Sequence, residues 1–217
     1  MTSLSHDVRT PLTTLIGYLD AIHRGIVAGR ERDDYLETAR QKAHDLKEYI
    51  DVLFDWFKLG SDEFTLKLVT ADLTRLTRDI LVDWIPVLEE RQIKYTFHIP
   101  ERPFPVKLDP DAYLRILNNL IQNVLTHSHA DQIELSLSGR KDGKTILTVS
   151  DNGRGIEKED LSHIFERLYK CDQSRSQKGS GLGLSIVLQL VEKMGGTICA
   201  DSTPGAGTVF TLYFPPA

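Results

Sequence analysis

Four clusters in this 217-residue chain have residue types and spacings suited to chemistry. The first is His6-Asp7-Val8-Arg9-Thr10-Pro11, at the start of a helical pattern. A lone surface histidine signifies little, but Asp7 follows directly. A carboxylate that accepts the ring N–H makes the other nitrogen a better nucleophile. Pro11 removes a helix hydrogen bond and is expected to bend the helix one turn beyond the histidine. The second cluster is Asn119-Leu120-Ile121-Gln122-Asn123, whose two end asparagines are four apart and share one helical face. Amide oxygens are hard ligands suited to Mg²⁺, an ion that bridges nucleotide phosphates. The other two clusters are rich in glycine. Asp151-Asn152-Gly153-Arg154-Gly155-Ile156 directly follows a strand pattern, and Gly179-Ser180-Gly181-Leu182-Gly183-Leu184 opens a helix. Glycine lets a backbone approach a ligand closely, and a helix N-terminus offers free N–H groups to phosphate. Neither stretch matches a P-loop, and no strand leads straight into the second. Taken singly, such features are more often turns, caps or surface polar residues than sites.

The elements that must hold these clusters fall into two groups. Residues 4 to 59 read as two helices. Leu4, Val8, Leu12, Leu15, Leu19, Ile22 and Ile26 form one seam; Leu36, Ala39, Ala43, Leu46, Ile50, Leu53 and Phe57 form the other. Both have a period near 3.5, the pattern of coiled coils and bundles. The stretch 24–30, with Gly25 and Gly29, reads as a hairpin turn, and Asp33 as the cap of the second helix. Tyr35, Tyr49, Phe54 and Trp56 add further apolar surface. Two helices cannot cover all of it, so a second copy of the hairpin is expected to complete a four-helix bundle dimer. Packing against the rest of its own chain is the alternative.

Gly60-Ser61-Asp62 is a short polar break and the expected boundary between domains 1–60 and 61–217. Beyond it the period alternates between 2 and 3.6. Strands are expected over 64–69, 95–99, 132–138, 144–150, 197–201 and 208–214. Helices are expected over 73–91, capped by Asp72 and kinked at Pro86, over 109–127 after a Pro-rich turn, and over 181–194. Alternating strands and helices of this kind make an α/β sandwich on a mixed sheet. The whole chain is then α+β with two domains.

Composition sets the outer bounds. Hydrophobic residues are 41% and charged residues 26%, which excludes disordered, collagenous and membrane-embedded classes. A net charge of −5 gives no global basic field, so no nucleic-acid partner is expected. Cys171 and Cys199 are isolated, as in a reducing compartment. No stretch is apolar enough to span a bilayer, and the first residues lack a signal-peptide layout. The expectation is a cytoplasmic protein.

The four clusters, in this order, resemble the core of bacterial sensor histidine kinases. His6 to Leu12 looks like the phosphoacceptor box, Asn119 to Ser128 like the asparagine box, and Asp151 to Ile156 like the first glycine box. Ile164-Phe165-Glu166-Arg167-Leu168-Tyr169 is similar to the phenylalanine box, and Gly179 to Ile186 to the second glycine box. The resemblance covers essentially the whole chain. It implies a dimerisation and histidine-phosphotransfer domain followed by a Bergerat-type ATP-binding fold, with helices on one face of the sheet.

That resemblance assigns roles residue by residue. His6 would take the γ-phosphoryl group of ATP, with Asp7 as base and orienter, and Thr10 would position water that dephosphorylates a partner response regulator. Asn123 would hold Mg²⁺, assisted by Asn119. Asp151 would accept a hydrogen bond from the adenine amino group, while Gly153 and Gly155 leave room for the base beside Ile156 and Phe165. Gly179, Gly181 and Gly183, next to Leu182, would hinge a lid over 166–180, with Tyr169 and Lys170 touching nucleotide.

The chain departs from the family pattern in three places. Val124 and Thr126 stand where the family has alanine and a basic residue, which removes one phosphate contact. His127 stands where an aromatic is common and, with Lys170, could compensate. Only five residues precede His6. Met1 therefore reads as an artificial or unusually late start, and a sensing half, the expected link to a membrane, as absent. Two other readings remain: a degenerate kinase acting as a regulator-binding scaffold, and a related ATPase of the same nucleotide fold. The second needs a water-activating glutamate, and none lies between Asn118 and Thr126.

Overall fold

A computed structural model describes residues 4–217 except 60, 62, 63, 141, 168, 170 and 172–180; the side chains of 4–7, 48, 52 and 55 are outside it as well. The chain divides into two compact units, Met1–Lys58 and Leu59–Ala217. Gly60 and Asp62 of the expected boundary fall outside the described residues.

Helices α1 (Leu4–His23) and α2 (Gly29–Leu59) make up the first unit. Their connection closes with Arg24 N–H on Asp20 O at 2.9 Å and Ile26 N–H on Ala21 O at 3.0 Å. Gly25 takes φ +66° and Gly29 φ +57°, left-handed values that favour glycine. α2 starts at Gly29, ahead of the expected cap at Asp33. Glu31 lies in its first turn, where a carboxylate faces the unpaired N–H groups. α1 runs unbroken through Pro11. The proline sits near the helix start, so the hydrogen bond it denies is the one to the carbonyl of Asp7. Tyr18 and Tyr35 meet edge to face at 5.0 Å, and Ala39 is buried. Part of the seam is left uncovered within one chain: Leu12, Leu19, Leu36 and Phe57 are 40% to 54% exposed.

The second unit is a two-layer α/β sandwich. It comprises β1 (Val69–Asp72), α3 (Leu73–Glu90), β2 (Lys94–His98), β3 (Pro105–Leu108), α4 (Pro110–Asn123), β4 (Gln132–Gly139), β5 (Thr145–Asp151), α5 (Lys158–Leu161), α6 (Gly183–Lys193), β6 (Thr197–Thr203) and β7 (Gly207–Phe214). The main sheet has the order β2-β4-β5-β7-β6; β2 and β4 are parallel and the remaining pairs antiparallel. Period-2 alternation puts Leu135, Leu137, Leu147, Val149, Phe210 and Leu212 on one buried face. α4 packs there, with the Tyr113 ring 6.0 Å from Phe214. The opposite face carries half-buried Ser136, Thr148 and Thr211 and exposed Cys199.

Two aspartates anchor the helices. Asp72 Oδ1 accepts from Thr74 N–H at the start of α3 and from Phe104 N–H at 2.9 Å. Asp109 Oδ1 caps α4 through Asp111 and Ala112 N–H, while Oδ2 accepts from Lys67 N–H at 2.7 Å. Pro86 does not break α3. The carbonyl it orphans belongs to Val82, 63% exposed, where water can serve.

The strand expected over 64–69 is not one. Its alternation is real, with Phe64 and Leu66 half-buried, but pairing begins only at Val69. β1 pairs with β3, a strand hidden in the Pro-rich stretch; Pro105 lies at the end of the ladder opposite Asp72, where a missing N–H is tolerated. Gly143 and Lys144 lie in the β4–β5 turn and Thr145 opens β5, so no helix follows this Gly-Lys-Thr and it is no phosphate loop. Among the described residues no helix is long and apolar enough to cross a membrane.

Candidate active site

The strand period that buries Leu147 and Val149 sends Asp151 to the same side, so a carboxylate ends an apolar row. Burial raises its pKa above the usual carboxylate value, opposed by the Gly153 N–H, the Ser128 hydroxyl and the Thr208 N–H. Gly153 N–H reaches Asp151 Oδ1 at 2.8 Å. Thr208, buried on β7, is the direct partner of Asp151 in the β5–β7 register. Ionised, this carboxylate has acceptor capacity for a further donor.

The glycines beside it are required by the chain's own backbone. A Cβ on Gly153 would lie 2.7 Å from Ser128 Cβ and 2.8 Å from Asp151 Oδ1. One on Gly155, already at φ +69°, would strike the Thr203 carbonyl. Both glycines are thus demanded by the packing of the loop itself. What they permit is a loop stapled on both sides. Arg154 N–H reaches Ser128 O at 2.7 Å, Gly205 N–H reaches Arg154 O at 2.7 Å, and Ile156 N–H reaches Ser202 Oγ at 2.8 Å.

α4 leads from this loop to the second part of the site. The helix expected over 109–127 ends at Asn123 and widens into a π turn, Val124–Ser128, a rare geometry often found at functional positions. Ser128 Oγ closes the turn on Val124 O at 2.8 Å, and Thr126 Oγ1 accepts from Gln122 Nε2 at 2.9 Å. His127 is half-buried in it. Asn119 and Asn123, one turn apart, are both half-buried. Asn119 Nδ2 donates to Arg115 O at 2.8 Å, and its Oδ1 lies 3.0 Å from where a Gly183 Cβ would be. An amide oxygen of α4 therefore faces the first residue of α6, where N–H groups lack helical partners. That helix starts at Gly183, two residues later than expected, with Gly181 at φ +68° and Leu182 buried before it. Phe165 is half-buried, edge-on to Phe210 at 6.4 Å.

Residues 1–62 match the family of the His Kinase A (phospho-acceptor) domain, and residues 108–217 that of the histidine kinase-, DNA gyrase B- and HSP90-like ATPases. Sensor histidine kinase YcbM of Bacillus subtilis (strain 168) is 33% identical over 98% of this chain and 69% of its own length. The chain belongs to the sensor histidine kinase family. WalK, a sensor histidine kinase of the same organism, is 28% identical over 98% of this chain but only 36% of WalK. Histidine kinase ThkA, solved with the response regulator protein TrrA, shares the fold with a TM-score of 0.77 at 21% identity, over 99% of this chain and 60% of that one. This is an ATP-dependent protein-histidine kinase core, spanning about two thirds of one curated relative and a third of the other.

Within the second unit of this kinase, the structure brings Asp151, Gly153, Gly155 and Ile156 into one stapled loop against the end of the helix that bears Asn119, Asn123 and His127. It sets Asn119 against Gly183. Lys170 and Gly179 lie outside the described residues, as do the side chains of His6 and Asp7; both of these occupy the first turn of α1, and exposed Thr10 follows. Three residues that touch the site chemistry were missed by sequence reasoning: Ser128, Thr208 and Ser202. Thr208 had a readable signal, a polar residue in phase with buried Phe210 and Leu212. Ser128 had none, because the π turn that aims it is not written in any period.

Proposed function

We propose that ATP bound by the second unit phosphorylates His6, and that the phosphoryl group then passes to an aspartate of a response regulator. The observation that carries the nucleotide half is Asp151: a carboxylate held on an apolar sheet face against its own desolvation, still able to accept from an adenine amino group. At the other end Asn119 and Asn123 would hold Mg²⁺. Among the described residues the Asn123 amide makes no hydrogen bond, and no group of three or more His, Cys, Asp or Glu could hold a metal alone. Two neutral amide oxygens suit an ion that brings water and phosphate oxygens as its remaining ligands. When bound, Mg²⁺ would neutralise phosphate charge.

Histidine attack is a phosphoryl transfer, so positioning and charge neutralisation dominate. A ring nitrogen of His6 forms the N–P bond as the bond to the ADP oxygen breaks, and the proton of the other ring nitrogen is held by Asp7. Thr10, four residues on and on the same helical face, orients water against the regulator's aspartyl phosphate. The exposed seams of α1 and α2 support a homodimer through the hairpin. Thr126 offers no cation and its hydroxyl is engaged by Gln122, so Lys170 is left to supply phosphate charge. The lost contact is the one observation that favours a regulator-binding scaffold.

Incubation with γ-labelled ATP separates the readings. An acid-labile label, absent in His6→Gln, is expected. ATP binding without any label would make the chain a scaffold.

A further inference from the structure

One hydrogen-bonded knot follows the stapled loop directly. After α5 the chain coils in successive three-residue turns. His163 N–H reaches Asp160 O at 2.8 Å, Glu166 N–H reaches His163 O at 2.8 Å, and Tyr169 N–H reaches Glu166 O at 3.4 Å. Buried Ile164 and the Phe165–Phe210 contact hold this run on the sheet. The coil carries Tyr169 back to α5, where its hydroxyl donates to Asp160 Oδ1. The Cys171 thiol hydrogen-bonds the same carboxylate, close enough to Arg154 of the glycine loop to feel its charge. His163 Nδ1 lies 2.7 Å from Glu166 Oε1, with its ring 5.5 Å from that of Tyr169. A single half-buried carboxylate thus fastens the residues on both sides of position 170.

We infer that Asp160 is a positioning residue for ATP, one that fixes the Tyr169 hydroxyl before nucleotide arrives. The inference rests on Tyr169 being a nucleotide contact. Its physical basis is preorganisation: a side chain held in place before ATP arrives loses less conformational entropy in the binding step. A carboxylate acceptor suits that task, since charge-assisted bonds from hydroxyls are roughly twice as strong as neutral ones.

The test is titration of the full chain with ATP and Mg²⁺ by calorimetry, with melting temperatures alongside. Asp160→Ala should weaken ATP binding about fivefold to tenfold. Tyr169→Phe, which removes the same bond from the other side, should do likewise even if Asp160→Ala fails to fold. The double variant should be no weaker than either single one. Asp160→Asn, whose amide oxygen still accepts, should stay within about twofold of wild type. Unchanged affinity in Asp160→Ala overturns the inference, and so does a loss that persists undiminished in the Tyr169→Phe background. Asp151→Ala separates the two levels. If it binds ATP like wild type, the nucleotide site itself is misplaced and this inference falls with it. If it loses binding while Asp160→Ala does not, the positioning role alone is refuted.

Discussion

At the scale of single residues, the charge of Asp151 works against folding at neutral pH. Its folded-state pKa is raised, so the native state holds the proton more tightly than the unfolded chain does. Stability from this group is therefore greatest in acid and falls as pH rises from the unfolded value toward the raised one. Asp151→Asn should abolish adenine recognition yet melt no lower than wild type at pH 7.5, with the difference shrinking toward pH 4. A marked drop in melting temperature at neutral pH would mean that the carboxylate is structural. In α1, Thr10 Oγ1 is proposed to handle water and His6 phosphate. Thr10→Ala should keep autophosphorylation and slow dephosphorylation of the regulator; parallel loss of both rates and of thermal stability would assign Thr10 to the helix alone. Asp7→Asn should slow autophosphorylation by roughly 10² to 10⁴-fold, the usual worth of general-base catalysis.

At the scale of elements, what holds the nucleotide frame is a pair of bifunctional caps and one buried hydroxyl pair. Asp109 caps α4 and also holds Lys67 N–H, so Asp109→Ala should destabilise the second unit by about 2 kcal/mol, the upper end for a cap. Tyr113 donates to Thr77 Oγ1 at 2.6 Å deep between α3 and α4, and burial pushes its phenol far up and keeps it neutral. Tyr113→Phe should cost about 1 kcal/mol by chemical denaturation, without change in ATP affinity. Both helices were legible because their caps are local: Asp72 and Asp109 precede amphipathic runs. Strand β3 was not, since four residues starting with Pro105 carry too little period and owe their shape to a partner more than thirty residues away. The asparagine pair and the glycine loop were legible as types. The packing demand on Gly153 was not, because the atoms a side chain there would meet belong to Ser128, which a π turn delivers.

At the scale of the whole molecule, the exposed seam residues of the hairpin call for a partner surface. Light scattering should show a concentration-dependent dimer, and Leu19→Glu, on the exposed seam, should shift it to monomer while leaving ATP binding by the second unit intact. A strict monomer at high concentration would refute the bundle. The two cysteines differ in a way that bears on every such measurement. Burial and the Asp160 carboxylate push the Cys171 thiol up to about 11, so at neutral pH almost none of it is thiolate. Cys199 is exposed on the polar face of the sheet, away from the helices that build the site. A maleimide dye at pH 7 should therefore couple once per chain, at Cys199, with no engineering of the sequence. These 217 residues carry a single addressable position for a fluorophore or a spin label, from which distances to the dimer mate or to a docked regulator can be measured.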